Sequence, residues 1–138
     1  MARRIQQQPL FVLIVAVVFV CSLWVIFARL PERMTAVSQD GLLSVEGVSR
    51  DAQGILLETV DASTGQYTLS IEGSSLIYDV VLSFPAQEPS TQEVSLLLFD
   101  RAQNKWIKER CLYDKQEKRY LVRLDTLGST VIQRTIPE

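Results

Sequence analysis

Hydrophobic and polar positions alternate in two different ways along this chain. Residues 10–28, LFVLIVAVVFVCSLWVIFA, form an apolar run of 19 residues without a charge. As a helix the run covers roughly 28 Å, close to a hydrocarbon core of about 30 Å. From residue 41 onward the pattern breaks into short β-rich runs: LLSVEGV (42–48), ILLETV (55–60), QYTLSI (66–71), LIYDVVLSF (76–84), EVSLLLF (93–99), KWIKERCLY (105–113), RYLVRL (119–124) and TVIQRTI (130–136). Turn residues separate them, and this spacing predicts an all-β fold: an eight-stranded antiparallel β-sandwich (Ig-like) or small barrel, preceded by a single N-terminal transmembrane helix. Short links predict that neighbours in sequence pair as hairpins.

The period-two pattern names a core. Tyr67, Leu69 and Ile71 share one face of the third run, and Tyr120, Val122 and Leu124 one face of the seventh. The sixth run is ambiguous, with Ile107, Cys111 and Tyr113 the expected inward set and Trp106 and Leu112 the other. The fourth and fifth runs, with Leu76, Tyr78, Val80, Leu82 and Phe84 and then Val94, Leu96 and Leu98, are apolar on both faces and are expected at the centre of the sheets. The loop 85–92 is the longest connection and reads as a solvated crossover between sheets.

The resulting organisation is a short cytoplasmic N-terminus (1–8), a transmembrane signal-anchor helix (9–30), a polar stalk (31–40) and an extracytoplasmic β-sandwich domain (41–138). No small-x-small cleavage site follows the apolar run, so an uncleaved anchor is expected rather than a signal peptide. Val20 before Cys21, with more apolar residues after it, argues against lipid attachment there. Orientation rests on Arg3, Arg4 and the α-amino group outweighing Arg29 and Arg33; this places the N-terminus inside, with a cytoplasmic domain as the alternative.

Composition narrows the chemistry. The chain has no histidine, which removes the commonest general base and the commonest metal ligand together. Its two cysteines are Cys21, inside the apolar run, and Cys111, so no disulfide is expected within the β domain. Asp61, Ser63, Thr64 and Gly65 read as turn formers rather than as an aspartic-protease corner, which needs two such carboxylates. No nucleophile elbow or phosphate-cradling glycine loop is written, and calcium ligation by Asp51, Asp61 and Asp100 lacks a spaced loop motif. The expectation is a non-catalytic protein without metal or cofactor.

Charge is the distinctive signal. Residues 40–100 hold ten acidic residues and one basic, whereas residues 101–123 hold eight basic and three acidic. The basic strip is Arg101, Lys105, Lys108, Arg110, Lys115, Lys118, Arg119 and Arg123. It is expected to gather on one hairpin pair, where it could meet anionic lipid headgroups, an acidic protein partner or the acidic face of another copy. The bland alternative is that cross-strand acids neutralise it. Nucleic acid is not an expected partner, since the net charge is -2. The expected function is therefore a single-pass interaction module, an accessory subunit or assembly factor of a larger membrane or envelope complex. A membrane-tethered carrier or sensor holding a small apolar ligand inside a β-barrel is the alternative.

Overall fold

A computed structural model describes residues 7–28 and 30–135. The chain divides between residues 31 and 32 into two units. The first contains helix α1 (Gln7–Ala28), which has no acidic residue in its first turn and no basic residue in its last. Pro9 lies in the first turn, where its missing N–H costs nothing. The Ser22 hydroxyl donates to the Val18 carbonyl at 2.7 Å, so the one polar side chain in mid-helix is satisfied within the helix. None of the apolar window is buried against protein, and the helix is long and apolar enough to cross a membrane.

The second unit holds ten strands, β1 (Glu32–Val37), β2 (Ser44–Ser49), β3 (Gly54–Asp61), β4 (Gln66–Glu72), β5 (Leu76–Pro85), β6 (Ser95–Asp100), β7 (Lys105–Arg110), β8 (Leu112–Asp114), β9 (Arg119–Gly128) and β10 (Thr130–Arg134). They form two five-stranded antiparallel sheets, β1-β2-β5-β9-β8 and β3-β4-β10-β6-β7. Each sheet is two hairpins joined by one single strand, β5 in the first and β10 in the second. Neighbours in sequence thus pair in β1–β2, β3–β4, β6–β7 and β8–β9, whereas both central strands are recruited from a distance.

The count of eight is corrected to ten for two reasons. The expected stalk (31–40) contains β1, an edge strand whose Met34 and Ala36 turn partly inward while Arg33 pairs with Glu46 of β2 at 2.9 Å. The sixth run divides at Cys111 into β7 and β8, which belong to different sheets. The closed barrel is also overturned. Among the described residues each sheet ends in two unpaired edges, β1 and β8 in one, β3 and β7 in the other. Ile136, the end of the last run, lies outside the described residues, as do Arg3, Arg4 and Arg29.

Both sheets contribute to one core. Val45, Val80, Leu82 and Val122 come from the first, and Leu57, Tyr67, Leu69, Leu96 and Ile132 from the second. The alternation expected for β4 and β9 holds: Tyr67, Leu69, Tyr120 and Val122 are buried, with Ile71 and Leu124 packed against them. β5 lies at the centre of its sheet, yet Leu76 and Tyr78 are exposed while Ile77 is fully buried. The cause is a change of side-chain phase at Asp79, whose φ of 50° is left-handed. A register shift in the facing strand, between Glu46 and Val48, accompanies it.

Three hairpin loops share one construction. Asp61, Asp100 and Asp114 each accept hydrogen bonds through Oδ1 from two backbone amides of the loop that follows. Each loop closes on a residue with positive φ: Gly65, Asn104 and Lys118. An aspartate opens the turn and a left-handed residue returns the chain to the ladder.

Candidate interaction surface

The basic strip occupies two hairpins on opposite sheets. Arg101 sits in the β6–β7 loop, and Lys105, Lys108 and Arg110 lie on β7, the edge of the second sheet. Lys115 and Lys118 belong to the β8–β9 loop, and Arg119 and Arg123 to β9 in the first sheet. Cys111 joins the two groups. Its amide donates to the Val94 carbonyl at 2.9 Å as the chain passes from sheet to sheet. Seven of the eight side chains are exposed, and Arg119 is half-buried. Among the described residues one of them makes an ion pair, Lys108 with Glu93 at 3.5 Å. Local neutralisation therefore leaves most of the strip's charge uncompensated by contact.

β7 is the part of the strip with the most varied chemistry. Ile107 and Glu109 stand opposite Leu98 and Leu96 on the inward face, and line a groove of about 450 Å³ that reaches between β6, β7 and β9 to Leu124 and Leu127. On the outward face Trp106, Lys108 and Arg110 follow one another. The Trp106 ring packs edge-on against Phe99, with centroids 5.2 Å apart, and remains 43% exposed. Of the expected inward set, Cys111 is buried and Tyr113 half-buried, whereas Ile107, on the edge strand β7, stays 36% exposed at the groove.

Sequence reasoning missed a second cation, Arg134 of β10. Its guanidinium lies 5.4 Å from the Phe84 ring centroid, and its Nε is buried without a hydrogen-bond partner among the described residues. It borders a cleft of about 270 Å³ with Phe84, Val94 and Tyr120. The loop 85–92 forms one wall and, as expected, crosses from one sheet to the other. It is pinned by the Tyr120 hydroxyl, which accepts from the Ser90 amide, and by the Tyr113 hydroxyl, which donates to the Ala86 or Gln87 carbonyl, each at 3.1 Å. No signal in the sequence distinguished Arg134, because it lies beyond the basic cluster in an otherwise ordinary strand.

The titratable groups with clear shifts are structural in their geometry. Tyr67 is fully buried and donates to Asp40 Oδ2 at 2.9 Å. Asp40 Oδ1 also accepts from the Ser38 hydroxyl and from the Leu42 amide. This knot ties the β1–β2 loop of one sheet to β4 of the other. Burial alone raises the Asp40 carboxyl, but the bonds from Ser38, Leu42 and Tyr67, with the Arg134 charge, outweigh it and hold the group below its ordinary 3.8. Burial, and then the hydrogen bond to Asp40, push the Tyr67 phenol up to about 12. A phenol held neutral in this way is a buried strut. Burial likewise pushes the Cys111 thiol up to about 11, which suppresses thiolate formation. Among the described residues no three Cys, Asp or Glu side chains converge as metal ligands.

No protein-family model, no curated protein and no solved structure matches the chain.

Proposed function

We propose that the chain is a single-pass membrane protein, N-terminus inside, whose two sheets pack as an extracytoplasmic Ig-like β-sandwich and act as a non-catalytic interaction module. In this reading it is an accessory subunit or assembly factor of a larger membrane or envelope complex. The observation that carries the reading is the β7 edge. It is a strand with an unpaired rim, three cations, an exposed tryptophan and a groove behind it. Extended segments add to such edges through main-chain hydrogen bonds, while side-chain chemistry selects among them. The apolar helix supports anchorage in the bilayer, and the uncompensated strip supports contact with acidic protein surfaces or anionic headgroups.

The test has two arms. A topology reporter fused after Glu138 should read extracytoplasmic. A photo-cross-linking residue at Trp106, introduced into the full chain in its native membrane, should capture protein. A reporter read in the cytoplasm reverses the compartment, and a chain that captures no protein in intact membranes overturns the interaction reading.

A further inference from the structure

The acidic counterpart of β7 lies on the same sheet. β3 forms the opposite edge of β3-β4-β10-β6-β7 and carries Glu58 and Asp61 with no basic residue, whereas β7 carries Lys105, Lys108 and Arg110 against Glu109 alone. We infer that copies of this chain join through these two edges, β7 of one copy against β3 of the next, so that the sheet continues from molecule to molecule. The inference rests on the interaction reading above and names the partner as a second copy.

Strand direction fixes how such a joint is made. Every pairing in this sheet is antiparallel, and it has five strands, so its two edges run the same way. Placing two copies side by side with their inner faces on the same side brings β7 and β3 together as a parallel pair. The side chains on the outer face then meet in order. In β3, Ile55, Leu57 and Thr59 stand opposite Ile71, Leu69 and Tyr67 and face inward, leaving Leu56 and Glu58 outside, with Val60 exposed at a register irregularity between Thr59 and Asp61. In β7 the outward set is Trp106, Lys108 and Arg110. A single parallel register sets Leu56 beside Trp106 and Glu58 beside Lys108, and brings Val60, at the irregularity, near the aliphatic stem of Arg110. It covers three of the large apolar side chains that the free edges expose, Leu56 at 48%, Val60 at 58% and Trp106 at 43%.

Lysines on an edge strand ordinarily discourage pairing. Here they discriminate. A two-fold joint of β7 with β7 brings the cations of one copy up against those of the other, and a joint of β3 with β3 brings the acidic residues together in the same way. Charge therefore disfavours both symmetric joints and leaves the head-to-tail one. Repetition of that joint gives a ring if the rotation closes and an open row if it does not. A shared bilayer raises the effective concentration of the edges for one another.

The test uses the full chain in the membranes of expressing cells, with Cys21→Ala and the buried Cys111 retained. A chain carrying both Glu58→Cys and Lys108→Cys should oxidise to a ladder of dimers, trimers and higher species. Either substitution alone should stay monomeric, and the two single variants co-expressed should stop at the dimer. A second measurement compares assembly of the purified full chain in detergent by sedimentation. Glu58→Lys and Lys108→Glu should each weaken association at least tenfold, and the two together in one chain should restore it to within a few-fold. The inference falls if no ladder forms, if either single variant cross-links as strongly as the double, or if the charge-reversed double variant is no better than the singles. Capture of a different protein at Trp106 in a chain that forms no ladder would sink self-joining and leave the interaction reading standing. Absence of both would remove the two together.

Discussion

Substitution of Gly47 by alanine tests the account of β5 most directly. A Cβ built on Gly47 would lie 2.8 Å from Ile77 Cδ1, 3.2 Å from Ile77 Cβ and 3.4 Å from Cγ1. Carbon atoms settle about 3.5–4.0 Å apart, so the new methyl overlaps the isoleucine tip by roughly 0.7 Å or more. Ile77 is fully buried, so its tip can shift only against other core side chains. Overpacking of this kind costs about 1–3 kcal/mol, partly offset by the roughly 0.5–1 kcal/mol that alanine gains over glycine inside a strand. Gly47→Ala should therefore destabilise by about 1–2 kcal/mol. Ile77→Val alone removes Cδ1 and should cost about 0.5–1.5 kcal/mol. Together the two should cost less than their sum by about 0.5–1 kcal/mol, because the valine clears the closest contact while Cβ and Cγ1 remain. Urea unfolding of the full chain in detergent, followed by Trp106 fluorescence in a Trp24→Phe background, measures all four corners of the cycle. If Gly47→Ala is neutral, or if the two effects add to within about 0.3 kcal/mol, then Ile77 does not pack on Gly47 and the phase change at Asp79 is wrong.

The other predictions concern the knot, a turn and the thiol. Tyr67→Phe removes the donor to Asp40 and should lower stability by about 1.5–3 kcal/mol in the same urea assay, as expected for a bond to a charged group. The Asp40 carboxyl is lower in the folded chain than its ordinary value, so its contribution is complete above about pH 4 and is lost as acid titrates it; Asp40→Asn should flatten the acid limb of the stability profile. The Tyr67 phenol is raised to about 12, so the folded state holds its proton longer than the unfolded chain does. Stability should fall between about pH 10 and 12, and Tyr67→Phe should remove that part of the fall. Lys118 closes its hairpin at a φ of 52°; Lys118→Gly relieves a left-handed penalty of about 1–2 kcal/mol, less the entropy glycine gives up on folding, and should raise the thermal midpoint by a few degrees. Cys111 should react with a neutral-pH thiol reagent at the rate at which the sheets open, and much faster in urea. Rapid labelling in the folded state would contradict its burial.

Where the sequence was legible, one physical constraint acted alone. The N-terminal helix is apolar all round, and β4 and β9 each bury one face, so period and composition suffice. The sequence of β1 reads as a stalk because a strand at the rim of a sheet needs little inward apolar surface; Met34 and Ala36 are its inward-turned residues. The split of the sixth run at Cys111 left no mark, since a strand that changes sheets keeps its apolar content on both sides of the corner. The burial of Ile77 instead of Tyr78 was hidden in the backbone of Asp79, a residue with no outward sign of a left-handed φ. The basic cluster could be read as composition, but its division between opposite sheets depends on long-range pairing that spacing does not encode. Arg134 illustrates the same limit: only the fold brings it over Phe84.

The place of β10 carries a consequence in time. β10, the last strand among the described residues, is the middle strand of its sheet, with β4 on one side and β6 on the other. Until residues 130–134 leave the ribosome, that sheet exists only as two hairpins with nothing between them. Loop closure across more than half of the domain must then precede the contacts that repay it, which slows folding. That sheet therefore forms late, whereas the other sheet, β1-β2-β5-β9-β8, holds all its strands by residue 128. Deleting residues 130–134 would leave that sheet without its keystone.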